Sequence, residues 1–424
     1  MVLNEYSNET KATRLSTGEK LDSVADNYTS IQAGTFVKND KNNSIPNNLR
    51  NYLPCNSLSV TSDNISGIQL HTHSFEECIT DDILDMLQIS SGTKKERKHN
   101  YYKQSTALYE YLNGHLGDKE LVEARRSLLD HRLSVIGLSF HYLVSGSKAE
   151  GLDIQSSDLD SMIIESLVHE IDDRTHVENG YLFDSTEDSS TPGYTFIQEV
   201  ERSNIVGYLT SSEYIKSKLQ ETKLEIKVPL RFLQHGPSIA ASPFQQDEDI
   251  VFCLKSEKWP RIATEWKYRK RYFGWPTHET VHHVTESGCH IVPKGAGLET
   301  TFQNEQWRLS FSQAETALIR SFNHTQIMVY GGLKVLFKET SNEKEHMHVD
   351  IISSYILKTS LLWLSEENES SMWVPNNILF CILLCIERIA KWIKDRNCPN
   401  YFVPAHNMFY DKITDNKALD LLLD

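Results

Sequence analysis

Apolar residues recur at mixed three- and four-residue spacing from Glu96 to Ser134. They run through Tyr102, Leu108, Tyr111, Leu112 and Leu116, then restart near Asp118 with Leu121, Ala124 and Leu128, a spacing that predicts a long helical stretch. The texture then changes to short apolar runs bounded by turn residues at Phe140–Val144, Leu159–Ile164, Gly180–Phe183, Glu225–Leu230, Ile250–Leu254 and His290–Val292, which read as strands. Beyond Phe311 the helical period returns over Gln313–Phe322, Gln326–Phe337, Ile351–Leu364 and Asn377–Lys391. A mixed sheet followed by helices is an α+β arrangement with two lobes. Residues 1–66 are rich in Asn, Ser, Thr, Lys and Asp without periodicity and are expected to be disordered or loosely attached. Thr80–Leu87 reads as a short helix with Asp81 and Asp82 in its first turn. The expected division is a tail over 1–66, a sheet-bearing lobe with its long leading helix over 67–300, and a helical lobe over 301–424.

The 424 residues are 39% hydrophobic and 10% aromatic, enough for a full core. The longest apolar run, Ile378–Ile386, falls short of the roughly 18 residues of a membrane span. The opening MVLNEYSNETKATR lacks the apolar segment of a secretory signal, so no membrane is expected and the location is read as cytoplasmic. Seven scattered cysteines form no CxxC pair, and Cys381 and Cys385, one helical turn apart in an apolar run, read as reduced core thiols. A formal net charge of -15 argues against a surface that embraces nucleic acid over its whole extent. One local exception interleaves Lys258, Arg261, Lys267, Arg269, Lys270 and Arg271 with Trp259, Trp266 and Tyr268. It is a candidate nucleic-acid face, although a helix would not put Arg261 and Lys267 on one side with all the others.

The chemistry concentrates in Gly146-Ser147-Lys148-Ala149-Glu150-Gly151 and the following Ser157-Asp158-Leu159-Asp160. Alternate strand residues share a face, so Asp158 and Asp160 aim two carboxylates at one point. Such a pair repels itself unless a cation sits between, and magnesium shared with a triphosphate has the right hard-oxygen preference. The Gly146-Ser147 turn offers close approach and a hydroxyl to phosphate. A lone DxD is more often solvated turn chemistry, and the preceding GS turn with the apolar strand behind the acids shifts the weight. Two-metal phosphoryl transfer calls for a third carboxylate. Asp249, opening Asp249-Ile-Val-Phe-Cys-Leu254, is the first candidate and Asp247 its rival. Trp307 and Phe311, four apart, read as core.

The order GSKAEG, SDLD, DIVFCLKSEKWP, Trp307-Arg308-Leu309-Ser310-Phe311-Ser312 and Ser353-Ser354-Tyr355 resembles the cyclic GMP-AMP synthase (cGAS) and cGAS-like receptor family, which also holds the male-abnormal (Mab-twenty-one) proteins. The similarity covers roughly residues 95–400. It implies a bilobal nucleotidyltransferase fold, with a polymerase-beta-like mixed sheet lobe and a helical C-terminal lobe. It also implies metal-binding acids at Asp158, Asp160 and Asp249, with magnesium or manganese as cofactor. Gly146 and Ser147 would meet nucleotide phosphate, Lys334 triphosphate oxygens, Arg308 a base face, Ser310 and Ser312 the surroundings of the bases, and Ser354 and Tyr355 a phosphate and a stacked base. Vertebrate members carry a zinc-binding insertion after the WRLSFS segment, whereas Gln313–Tyr330 holds His324 and no cysteine; no zinc is therefore expected.

The activity so implied is synthesis of a cyclic dinucleotide from ATP and GTP or other triphosphates in innate immune signalling. Double-stranded RNA is the expected activator, a STING-type receptor the reader of the product, and a dimer formed on the ligand the expected assembly. A Mab-type scaffold without turnover and a synthase of linear oligonucleotides are the two alternatives.

Overall fold

The computed structural model describes residues 93–135, 141–154, 159–172, 176–185, 191–225, 231–242, 248–296, 304–343, 352–410 and 412–413. The expected tail and the Thr80–Leu87 helix lie outside the described residues.

Helix α1 (Lys94–Leu116) opens with a capping box, in which Thr93 Oγ1 accepts the Glu96 N–H at 3.4 Å and Glu96 Oε2 accepts the Thr93 N–H at 2.7 Å. Its inward stripe is Tyr101, Ser105, Leu112 and Leu116. The helical run breaks where its spacing restarts, because Asp118 Oδ1 caps the N–H of Leu121 at 2.8 Å and begins α2 (Lys119–Val135). There follow β1 (Tyr142–Ser145), the one-turn α3 (Gly146–Ala149), β2 (Leu159–Glu170), β3 (Gly180–Phe183), β4 (Tyr194–Thr195), β5 (Ile197–Glu201), β6 (Asn204–Leu209) and α4 (Ser211–Glu225). Next come β7 (Arg231–His235), β8 (Ser238–Ser242), β9 (Glu248–Ser256), α5 (Thr264–Tyr268), α6 (His278–Glu286), β10 (Cys289–Val292) and β11 (Trp307–Ser310). The chain then turns helical through α7 (Ser312–Arg320), α8 (His324–Glu343), α9 (Ser354–Glu367) and α10 (Ile378–Asp395).

The described strands join in a mixed sheet ordered β4-β11-β10-β9-β2-β3-β5-β6, with β1 on the start of β2 and the β7–β8 hairpin on the start of β9. Its spine is the parallel pair β2–β9. Strand β2 runs on to Glu170, past the apolar run that ends at Ile164, because a bulge between Ile164 and Ser166 carries the pairing beyond it. The mixed sheet and helical C-terminal region are the α+β fold expected. Helix α4 was not expected, since few apolar residues mark its inner side; Glu225, read as the start of a strand, is its last residue and the rest of that run lies outside the described residues.

A continuous core joins sheet and helices. Trp307, Phe311, Trp266, Phe402 and Leu254 pack with α8–α10, and each large side chain so buried contributes roughly 1.5–3 kcal/mol. The expectation that Trp307 and Phe311 serve the core holds, at 0% and 4% exposure. Helix α9 is buried nearly all round, from Ile356 through Leu362, which makes it a central helix. Among the described residues no helix is long and apolar enough to cross a membrane.

Candidate functional site

Parallel register sets Asp160 of β2 directly beside Asp249 of β9. Residues paired this way project to the same side of a sheet, so two carboxylates stand together near the starts of neighbouring strands. On its other flank Asp160 pairs with Ser145, the last residue of β1, and the chain turns immediately into α3. Gly146 there has φ +69, and a Cβ on it would overlap Asp160 Oδ2. Only glycine lets the turn close over the carboxylate. Asp158 and the rival Asp247 lie outside the described residues. Among the described residues no group of three His, Cys, Asp or Glu side chains gathers as a metal cluster. The two adjacent carboxylates are nonetheless the hard, anionic donor set that suits magnesium or manganese together with phosphate oxygens.

Ser147 is buried in the turn, and its hydroxyl accepts a hydrogen bond from the Lys334 ammonium of α8. Burial lowers the Lys334 pKa from its ordinary value, with Glu150 pulling the other way. A cation and a hydroxyl therefore meet next to the carboxylate pair, a combination made for a triphosphate tail.

Farther along the sheet, on the same side of β11, lie Arg308 and Ser310. Ser310 Oγ and Ser312 Oγ share a hydrogen bond at 2.9 Å. Tyr355, on the first turn of α9, accepts a hydrogen bond at its hydroxyl from Asn400 Nδ2 at 3.0 Å, and burial raises its pKa. Ser354 is exposed at the start of α9. The guanidinium of Arg308 lies near enough to Tyr355 to oppose that shift.

The turn is braced from behind by residues that sequence reasoning passed over. Arg126 Nε donates to Glu150 O at 2.8 Å, and Arg320 Nε donates to Ala149 O at 2.9 Å. Glu150 itself is fully buried and ion-paired with Lys358 at 2.6 Å, which also reaches Glu315 at 3.2 Å. This geometry makes Glu150 a brace of the turn. Lys358 carried no signal beyond lying three residues after Tyr355 in an apolar helix.

The basic cluster divides. Arg269 pairs with Glu265 at 2.7 Å and Glu366 at 3.3 Å, and Arg271 lies 3.4 Å from Glu366, their side chains only 11% and 9% exposed. These two guanidiniums serve the interior, and their proposed role toward nucleic acid is set aside on that ground. Arg261 is half-engaged with Glu170 at 3.2 Å and Asp184 at 3.0 Å. Lys258, Lys267 and Lys270 are exposed, alongside the exposed rings of Tyr268 and Tyr272.

The Mab-21 protein nucleotidyltransferase domain matches residues 196–321, and the Mab-21 protein HhH/H2TH-like domain matches residues 328–423. This chain belongs to the Mab-21 nucleotidyltransferase family. The matched stretch holds Asp249, Arg308, Ser310, Lys334 and Tyr355, while Gly146, Ser147 and Asp160 precede it. Relatives of this family member include cyclic GMP-AMP synthase of Mus musculus, 26% identical over 225 residues (49% of this chain, 43% of the relative). Cyclic GMP-AMP synthase of Sus scrofa is 22% identical over 199 residues (43% and 40%), and protein mab-21-like of Aedes aegypti 25% identical over 163 residues (36% and 41%). The match spans less than half the length of each.

Proposed function

We propose that this chain joins nucleoside triphosphates of the ATP and GTP type into a cyclic dinucleotide when it senses a nucleic-acid ligand, duplex RNA first among them. The observation that carries this reading is the in-register pair Asp160 and Asp249, with the Lys334–Ser147 contact beside it.

Ser147 and Lys334 hold the phosphate tail, and the Arg308 guanidinium with the Tyr355 ring confines a base between cation and aromatic faces. The acceptor hydroxyl then attacks the α-phosphorus, its proton passing to the Asp249 carboxylate, and the bond to pyrophosphate breaks. A second round of the same exchange closes the ring. Magnesium or manganese, held by Asp160, Asp249 and Asp158, would offset the charge of the triphosphate and of the leaving pyrophosphate. Lys258, Lys267 and Lys270 support an RNA ligand through phosphate contacts.

The test is incubation of the full chain with four labelled triphosphates and magnesium or manganese, with no ligand, duplex DNA or duplex RNA. A phosphatase-resistant product that disappears in Asp249→Asn and Asp160→Asn is the expected result. Nucleotide binding without product in every lane would move the chain to a non-catalytic role, and phosphatase-sensitive oligomers would make it a linear synthase.

A further inference from the structure

Two side chains outside the expected set lie beside Arg308, where the nucleotide-binding reading above puts a base, and the inference drawn from them rests on that reading. Tyr194 of β4 stands directly opposite Arg308 in antiparallel register, so both project to one side of the sheet. The ring of His406 meets that of Tyr194 edge-on, with centroids 5.4 Å apart and planes at 72°. Gly193, at φ +84, makes room for it, since a Cβ there would come within 2.6 Å of His406 Nδ1.

The loop that carries His406 is pinned as a unit with Tyr355. Asn400 N–H donates to His406 O at 2.9 Å, His406 N–H donates to Val403 O at 2.8 Å, and Asn400 Nδ2 donates to the Tyr355 hydroxyl. Asn407 Oδ1 accepts the N–H groups of Cys398 at 2.9 Å and Phe409 at 3.0 Å. Asn400 therefore holds the Tyr355 hydroxyl through its side chain and the His406 backbone through its N–H. Neither ring nitrogen of His406 hydrogen-bonds another described residue. Burial, with the Arg308 guanidinium nearby, lowers its pKa to about 4, which leaves a neutral ring at pH 7 with one N–H donor and one acceptor nitrogen. Arg308 can only donate, and the Tyr355 hydroxyl already accepts from Asn400. Neutral His406 therefore adds one donor and one acceptor nitrogen to the cluster beside Arg308.

We propose that His406 reads the six-position of a bound purine nucleotide, discriminating an amino from an oxo group, with Tyr194 holding its ring in place. Adenine presents an amino donor at that edge and guanine a carbonyl acceptor. A given tautomer at one ring nitrogen serves one and not the other.

The test measures equilibrium binding of labelled ATP, GTP and ITP to the full chain, since ATP and ITP differ only at the six-position and in the adjoining N1, whose hydrogen-bonding sense reverses with it. The parent protein is expected to separate ATP from ITP by about tenfold or more, with GTP following ITP. His406→Phe, which keeps a ring against Tyr194, is expected to bring that ratio close to one while binding still depends on Lys334. Equal binding of ATP and ITP by the parent overturns the proposal without any variant. A ratio unchanged in His406→Phe, or in His406→Ala if the first variant does not fold, overturns it too. Discrimination without synthesis would sink cyclic dinucleotide formation and leave this role standing; no triphosphate binding at all would remove both.

Discussion

The Lys358 ammonium, on a helix buried nearly all round, sits 2.6 Å from the carboxylate of Glu150, the residue that ends the α3 turn. Glu315 stands 3.2 Å away on the other side, and the two carboxylates hold the Lys358 pKa well above its ordinary value against the opposing effect of burial. A cation is in this way committed to fastening the turn to the helical region.

Removing one partner from such a pair leaves an uncompensated charge, at a cost of about 3–5 kcal/mol. Lys358→Met should lower the urea midpoint accordingly, because Glu150 has no exposure through which water could substitute. Adding Glu150→Gln to that variant should recover part of the loss. A Lys358→Met protein as stable as the parent would show that the ion pair contributes nothing.

Gly146→Ala combines a left-handed φ with overlap onto Asp160 Oδ2. The strain at one residue costs about 1–3 kcal/mol, a modest loss for the fold. The Asp160 carboxylate, however, must move, and under the proposed function a displacement of order 1 Å costs about a hundredfold in rate. Nucleotide incorporation should therefore fall by about that factor while the thermal midpoint drops only a few degrees, and normal incorporation by Gly146→Ala would separate this turn from the chemistry.

Under the proposed function the ammonium of Lys334 is the form that holds phosphate, and it persists only below its pKa. Burial lowers that pKa, so triphosphate affinity should begin to fall at a less alkaline pH than an ordinary lysine would give. Lys334→Gln should weaken binding at neutral pH and flatten the alkaline limb. Titration of Kd between neutral and alkaline pH checks both, and an unchanged alkaline limb in Lys334→Gln would assign it to another group.

The parts of the site that the sequence made legible are those where chemistry and periodicity coincide. Asp249 opens an apolar strand, and Arg308 and Ser310 alternate with Trp307 and Leu309, so their side of the sheet follows from strand period alone. What escaped depends on partners distant in the chain. Lys358 looks like one polar residue in an apolar helix until Glu150 and Glu315 fold against it. Arg269 and Arg271 look like surface cations, yet both turn inward to Glu366. Short strands such as Tyr194–Thr195 are too brief for any period to register, and with them Tyr194 was missed beside Arg308.

His290 supplies a last prediction, in acid. It lies on β10 at 1% exposure, in register with Ser310 on one side and Lys255 on the other, and neither ring nitrogen has a hydrogen-bond partner among the described residues. Burial first, and Lys255 second, lower its pKa from 6.5 to about 4. A folded-state pKa below the unfolded one means that the unfolded chain takes up the proton more readily. The stability that rests on a neutral His290 is then whole above pH 6.5 and is lost progressively as pH falls toward about 4. A shift of that size corresponds to roughly 3 kcal/mol. His406 moves in the same direction, so the two contributions overlap in the parent. His290→Phe should remove its share of the slope between those pH values and leave that of His406, as read from urea midpoints across the interval. An acid slope identical in His290→Phe and parent would mean that His290 is already protonated, or solvated, in the folded protein.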